Sequence, residues 1–113
     1  MPDPTTILFT GFGLGQGPAE LRQILAGKFL TLLLQSDALP RRLLFYTEGV
    51  KLVCEGSPVL EQLGALEERG VELIICSTCL HYFSLSDKVR VGIVGGMGDI
   101  LEALLHAERV VSV

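Results

Sequence analysis

The chain has 113 residues and a formal net charge of −4, enough for one domain with a single core and too few for two. No basic run exceeds the Arg41-Arg42 pair, so the positive stripe that phosphate-backbone binding needs is missing and direct nucleic-acid binding is excluded. Hydrophobic residues make up 49% of the chain, yet Lys28 interrupts the longest apolar stretch, which stays short of the ~20 residues of a helical membrane span.

The run over residues 6–10, closed by glycines, predicts a buried first strand. Pro18 suits a first helical position and Glu20 the positive end of the dipole. Leu21, Ile24, Leu25, Phe29, Leu32 and Leu33 then recur at helical spacing, and Leu30 and Leu34 widen the stripe, so this helix should touch neighbours on two sides. Residues 37–40 end it. Residues 43–47 predict the second strand, leading into Glu48-Gly49-Val50. Ser57 and Pro58 read as N-cap and N1 of a helix with Val59, Leu60, Leu63 and Leu66 inward and Glu61, Glu67 and Glu68 outward, closed by Gly70 at C′. Residues 71–76 and 91–94 predict the third and fourth strands. Gly98-Asp99 opens a last helix with Ile100, Leu101, Leu104 and Leu105 inward, and Val110-Val111 marks a short fifth strand.

Strands without strict alternation, joined by helices, predict an α/β domain over residues 1–113 with a parallel sheet covered on both faces. A mean hydropathy of +0.49 exceeds what so small a domain can bury, which predicts a homo-oligomer: dimer, trimer or hexamer. Met1-Pro2-Asp3-Pro4 lacks the basic start and apolar core of a secretory signal. The three cysteines show no disulfide-framework spacing, so the sequence points to a reducing cytoplasm.

Residues 11–17, 46–56, 76–82 and 95–98, which leave the carboxyl ends of strands, hold most of the glycines and all three cysteines. In open α/β sheets ligands bind at that rim. The most informative stretch is Cys76-Ser77-Thr78-Cys79. Cys76 should end the third strand and Cys79 lie in a loop or at a helix start. Backbone N–H groups there can lower a thiol's pKa and populate the nucleophilic thiolate, and two cysteines at this spacing can exchange a disulfide. The competing structural account makes Cys76 a small buried hydrophobe. A thioredoxin-like reading would need the motif after the first strand. A zinc site from Cys76, Cys79, His81 and Cys54 would lack a second paired half. His81 is a loop histidine that could act as a base beside the thiol, and His106 sits late in a helix.

The glycine run from Gly11 through Gly13 and Gly15 to Gly17 fails the dinucleotide fingerprint in either register, with Gln16 or Pro18 at the third glycine position. No Gly-Lys-Ser/Thr follows, so it is no P-loop. It could approach an anion or merely connect strand to helix. No cofactor is called for. Glu48 and Lys51 could place a carboxylate and an ammonium near the cysteines, Lys51 favouring a thiolate if it points inward. Cys54 reads as core filler.

In order along the chain, these stretches resemble the DsrE/DsrF-like family, including its TusD-like branch and the DsrE-like domain of YedF-type proteins. The resemblance rests on residues 7–10 with their glycine loop, Phe45-Tyr46-Thr47-Glu48-Gly49-Val50, Gly49-Val50-Lys51-Leu52, the Cys76-Ser77-Thr78-Cys79-Leu80 signature, residues 95–102 and Arg109-Val110-Val111. The chain departs from the family pattern at Ser77, where a glycine is usual, and at residues 95–98. The resemblance implies a three-layer α/β/α fold with a mainly parallel five-stranded sheet. It also implies oligomers and a sulfurtransferase-like relay in which a cysteine carries persulfide sulfur between donor and acceptor proteins. The sulfur-carrying cysteine of the TusD-like branch corresponds to Cys76, and the signature also contains Cys79. Gly13, Gly15, Glu48, Gly49, Lys51, Ser77, Thr78, His81 and Met97 are expected to line the site. No Cys-Pro motif is present, so sulfur would come from a separate protein such as a TusA-like one. The rival account is a non-catalytic oligomeric scaffold with structural cysteines.

Overall fold

The computed structural model describes residues 3–113; Met1 and Pro2, on which the reading of the amino terminus partly rests, lie outside the described residues. The order is β1 (Asp3–Phe9), α1 (Ala19–Gln35), β2 (Pro40–Phe45), a 3-10 helix (Thr47–Val53), α2 (Leu60–Glu68), β3 (Glu72–Cys76), α3 (Ser77–Tyr82), β4 (Ile93–Gly95), α4 (Met97–His106) and β5 (Arg109–Ser112). The five strands form one sheet in the order β4-β3-β2-β1-β5, every neighbouring pair parallel.

Right-handed crossovers dictate where the helices go. From β1 to β3 the chain steps in one direction across the sheet, so α1 and α2 share a face, where they pack on each other. After β4 the chain returns to the opposite edge, and α4 therefore crosses the other face. Pleat alternation aims Ile7, Phe9, Leu43, Phe45, Leu73 and Ile75 at the first face. There Phe9 stacks on Phe45 at 5.1 Å and meets Phe29 of α1 edge-on at 6.3 Å. Leu8, Leu44 and Ile74 belong to the α4 face.

The predicted elements are all present, with shifted ends. Pro18 caps α1 from outside, at ψ 140°, rather than entering it, and β2 begins at Pro40, a position a strand's first residue can give to proline. Ser57 is not the N-cap: α2 starts at Leu60 with Val59 as its cap, and the Ser57 hydroxyl oxygen accepts from the Val59 N–H in the turn ahead of it. Val71 N–H to Leu66 O and Gly70 N–H to Glu67 O close that helix as a Schellman motif. The segment expected as an open rim loop after β2 is instead the 3-10 helix, which sends Val50, Leu52 and Val53 into the core.

Two helix faces differ from expectation. In α4 Ile100 and Ala103 are buried, whereas Leu101 and Leu105 are 54% and 72% exposed. The helix is apolar around more than one stripe, and a sheet can cover only one. In α1 the buried residues are Ala26 and Leu30, while Leu21, Ile24, Leu25 and Leu32 are exposed. Among the described residues, the sheet and α2 take one side of α1, and the other side stays exposed.

Candidate functional site

β3 delivers Cys76 to the carboxyl edge of the sheet, where α3 begins at once. Cys76 is thus the N-cap of α3 and Cys79 its third residue. Side chains at these two positions meet across a helix's first turn, as in a capping box, and here Cys76 lies close enough to act on the Cys79 thiol. They differ in access: Cys76 is 0% exposed, whereas Cys79 is half-buried.

A third element completes the site. The Thr47 N–H, at the start of the 3-10 helix, donates to Cys79 Sγ at 3.0 Å. Thr47 holds φ +48°, a left-handed conformation that a β-branched residue adopts only under constraint. The constraint is visible: its hydroxyl donates to the Thr10 carbonyl oxygen at 2.5 Å and to its neighbour Tyr46 O at 2.7 Å. Beneath it, Tyr46 N–H donates to Phe9 O. Gly49 lies so close to the end of β1 that a Cβ there would overlap the Phe9 carbonyl oxygen, so only glycine lets this helix seat against the strand.

The electrostatics correct the expectation of a lowered thiol pKa. Burial pushes the Cys79 thiol up, the Thr47 N–H pulls it down, and the contact with Cys76 raises it again, leaving it above the ordinary thiol value. The six-residue α3 offers little dipole, and no cation contributes to this shift. Lys51 does not supply one. Its ammonium lies 3.4 Å from the Glu48 carboxylate and 4.5 Å from the Phe83 ring centre.

The remaining sequence candidates divide. Ser77 and Thr78 flank the cysteines on the first turn of α3, Ser77 half-buried and Thr78 exposed. Gly95 pairs with Cys76 across the sheet, which brings Met97, exposed at the start of α4, to the same rim. Gly49 is buried under β1 and serves packing rather than lining. His81, exposed and two residues beyond Cys79 on α3, is not on the thiol's side of the helix. His106 Nδ1 lies 2.9 Å from Glu102 O, late in α4. Cys54 is buried, its thiol donating to Val50 O at 3.2 Å; burial raises its pKa and Arg90 lowers it. That is the filler role its sequence suggested.

The glycine loop folds around a residue the sequence did not single out. Arg22 Nε donates to Gly15 O at 3.0 Å, and Leu14 N–H donates to Arg22 O at 3.0 Å. Gly13, at φ +141°, would place a Cβ 2.6 Å from the Arg22 carbonyl carbon. Thr10, Gly11, Gly15, Gln16, Gly17, Arg22 and Glu48 line an open pocket of about 300 Å³. It adjoins the cysteine site through Thr47, which bonds Thr10 on one side and Cys79 on the other. Arg22 in a helix's first turns and Thr47 after a strand carry no sequence signal for these roles.

Among the described residues, no group of three or more His, Cys, Asp or Glu is placed to hold a metal ion, and no helix is long and apolar enough to cross a membrane.

The model of the DsrE/DsrF-like family matches residues 21–113. No curated protein matches the chain. Solved structures similar to it include the ychN protein from E. coli, with a TM-score of 0.71 and 19% identity over 100% of both chains. The protein of unknown function MTH1491 from Methanobacterium thermoautotrophicum aligns with a TM-score of 0.65 and 16% identity, over 96% of this chain and 98% of that one. The conserved protein of unknown function BT1422 from Bacteroides thetaiotaomicron aligns at 0.62 and 15% identity, over 96% and 94%. At these identities the likeness is one of fold.

Proposed function

The chain belongs to the DsrE/DsrF-like family, and from that premise we propose that it is a cytoplasmic sulfur-relay protein, working as a homo-oligomer, that carries persulfide sulfur on Cys79. The observation that carries this reading is a half-buried thiol at the carboxyl rim, with the Thr47 N–H aimed at its sulfur from 3.0 Å. The resemblance pointed to Cys76 as carrier; the sealing of Cys76 from solvent supports Cys79 instead.

The Cys79 thiolate attacks the outer sulfur of a donor persulfide. The new S–S bond forms as the donor's breaks, and the donor leaves as a thiolate. An acceptor thiolate then attacks the same sulfur and returns Cys79 to thiolate. Negative charge rests on Cys79 Sγ before the first step and returns to it in the second, where the Thr47 N–H can stabilise it. The raised pKa keeps the resting thiol protonated near neutral pH, which protects it between encounters. Donor and acceptor are separate proteins, the donor of a TusA-like kind.

Incubating the Cys76→Ala protein with inorganic polysulfide and mapping peptides by mass tests the reading. One sulfur atom should be added at Cys79, and none in Cys79→Ser. An adduct elsewhere, or undiminished uptake by Cys79→Ser, would overturn it.

The raised Cys79 thiol and the burial of Cys54 and Cys76 favour a second reading, a scaffold with structural cysteines. On that account the unloaded native protein reacts with iodoacetamide no faster at Cys79 than at Cys54.

A further inference from the structure

Cys76 is a nucleophilic side chain that the relay does not use, and its placement is particular. As N-cap of the short helix in which Cys79 is the third residue, it lies close enough to act on the Cys79 thiol yet is 0% exposed. No outside thiol or disulfide can reach it, and its accessible sulfur partner is Cys79. Cys54, the remaining thiol, is engaged with Val50 O in another part of the core.

We propose that Cys76 is a resolving thiol, which attacks the inner sulfur of a persulfide stalled on Cys79, forms a Cys76–Cys79 disulfide and expels the outer sulfur as hydrosulfide. This rests on the reading of Cys79 as the carrier. The step balances within the chain. The bond between Cys79 Sγ and the outer sulfur breaks, and its electron pair leaves with that sulfur. The bond between Cys76 Sγ and Cys79 Sγ forms, and the Cys76 proton ends on the departing sulfide. The sulfane sulfur is reduced by two electrons and the cysteine pair is oxidised by two, with no outside oxidant.

The geometry favours the inner sulfur as target. Displacement at sulfur needs nucleophile, attacked atom and leaving group in line. Cys76 approaches Cys79 Sγ from the interior, so an outer sulfur pointing to solvent lies opposite it. The solvent-facing pose in which a partner protein could collect the sulfur is therefore also the pose from which Cys76 can eject it. Residues at N-cap and N3 are close enough for their side chains to bond to each other's surroundings, a spacing from which two cysteines can reach disulfide geometry. Relay and discharge then compete: a docked acceptor takes the sulfur, and without one the chain releases sulfide and locks itself as a disulfide until reduced.

The test uses the full chain treated with inorganic polysulfide, desalted and held without acceptor. Released sulfide is measured colorimetrically, and the protein is mapped by mass. The wild type should lose its added sulfur, release an equal amount of sulfide and accumulate a Cys76–Cys79 disulfide. Cys76→Ala, its fold checked by circular dichroism, should keep the adduct on Cys79 and release sulfide at least about tenfold more slowly. Equal release rates in the two proteins, or wild-type sulfide loss with no disulfide, would overturn the proposal. Should Cys76→Ala fail to fold, Cys76→Ser serves, with the same outcomes. The two proposals fail differently: if Cys76→Ala takes up no sulfur at Cys79, the carrier reading falls, whereas an adduct equally short-lived in both proteins defeats only the resolving role.

Discussion

At the scale of single residues, Cys79 Sγ is set by three opposing influences, and each can be varied. Burial and Cys76 raise its pKa while the Thr47 N–H lowers it. The rate of Cys79 alkylation by iodoacetamide should therefore climb through the alkaline range, with a midpoint above that of an ordinary thiol. In Cys76→Ala, where one raising influence is gone, the midpoint should move down; an unchanged midpoint would mean that the two thiols do not interact. Stability follows the same sign. Because the folded pKa is raised, the contribution of Cys79 to stability is complete below the unfolded thiol's pKa and is lost as pH rises through the folded value. Cys54, also raised by burial, acts in the same direction. Thr47 offers a second lever. Thr47→Val keeps the branched shape at φ +48° but removes the hydroxyl that anchors it to Thr10 and Tyr46. The expected cost is about 1 kcal/mol in denaturant melts. The Cys79 midpoint should rise as well, since an unanchored N–H spends less time on the sulfur.

Between elements, the decisive contact is that of the 3-10 helix with the end of β1. Gly49→Ala would drive a Cβ into the Phe9 carbonyl oxygen, a backbone atom that cannot step aside, and should cost about 3 kcal/mol or more. Gly27→Ala is the internal control. It sits inside α1 with nothing within 4 Å of the added Cβ and should stabilise the chain by about 1 kcal/mol. Equal melting shifts for the two substitutions would show that the seat under Phe9 is not tight. This contact also marks where the sequence stopped being legible. Periodicity and punctuation located every strand and long helix, because Phe9, Phe45 and Ile75 are strand apolars between turn residues and Gly70 ends α2 as a Schellman glycine should. The rim position of Cys76 and Cys79 was legible for the same reason. Residues 47–53 were not, because a 3-10 helix has no strong sequence period and its Gly49 reads like any loop glycine. Nor was the pairing of Thr47 with Cys79, 32 positions apart, or the glycine loop's hold on Arg22. Both depend on which loops the strand order makes neighbours. In α4, Ile100-Ala103 and Leu101-Leu105 are equally good helical stripes, so the choice between them was made by the sheet.

For the molecule as a whole, those rejected stripes become the main fact. Leu101, Leu105 and Met97 project from α4, and Ile93 and Val110 are exposed on the same side of the sheet. On the opposite layer, Leu21, Ile24, Leu25 and Leu32 project from α1. The sheet lies between the two patches, so a single two-fold contact between copies can cover one of them but not both. A homo-oligomer that hides both patches therefore either uses two isologous interfaces or joins one patch to the other head to tail, and in both cases it closes on more than two copies. Sedimentation at micromolar concentration should report a particle larger than a dimer. With two isologous interfaces, Leu101→Lys with Leu105→Lys should break only the α4 interface and Leu32→Lys with Ile24→Lys only the α1 interface, whereas a head-to-tail ring should lose its contact with either pair. Each should leave a smaller particle of retained fold, because none of these side chains belongs to the core. The two pairs combined should give a monomer. A wild-type monomer under the same conditions would refute the assembly while leaving the chemistry of Cys79 intact, since the residues that hold its sulfur, Thr47 and Cys76, come from the same chain.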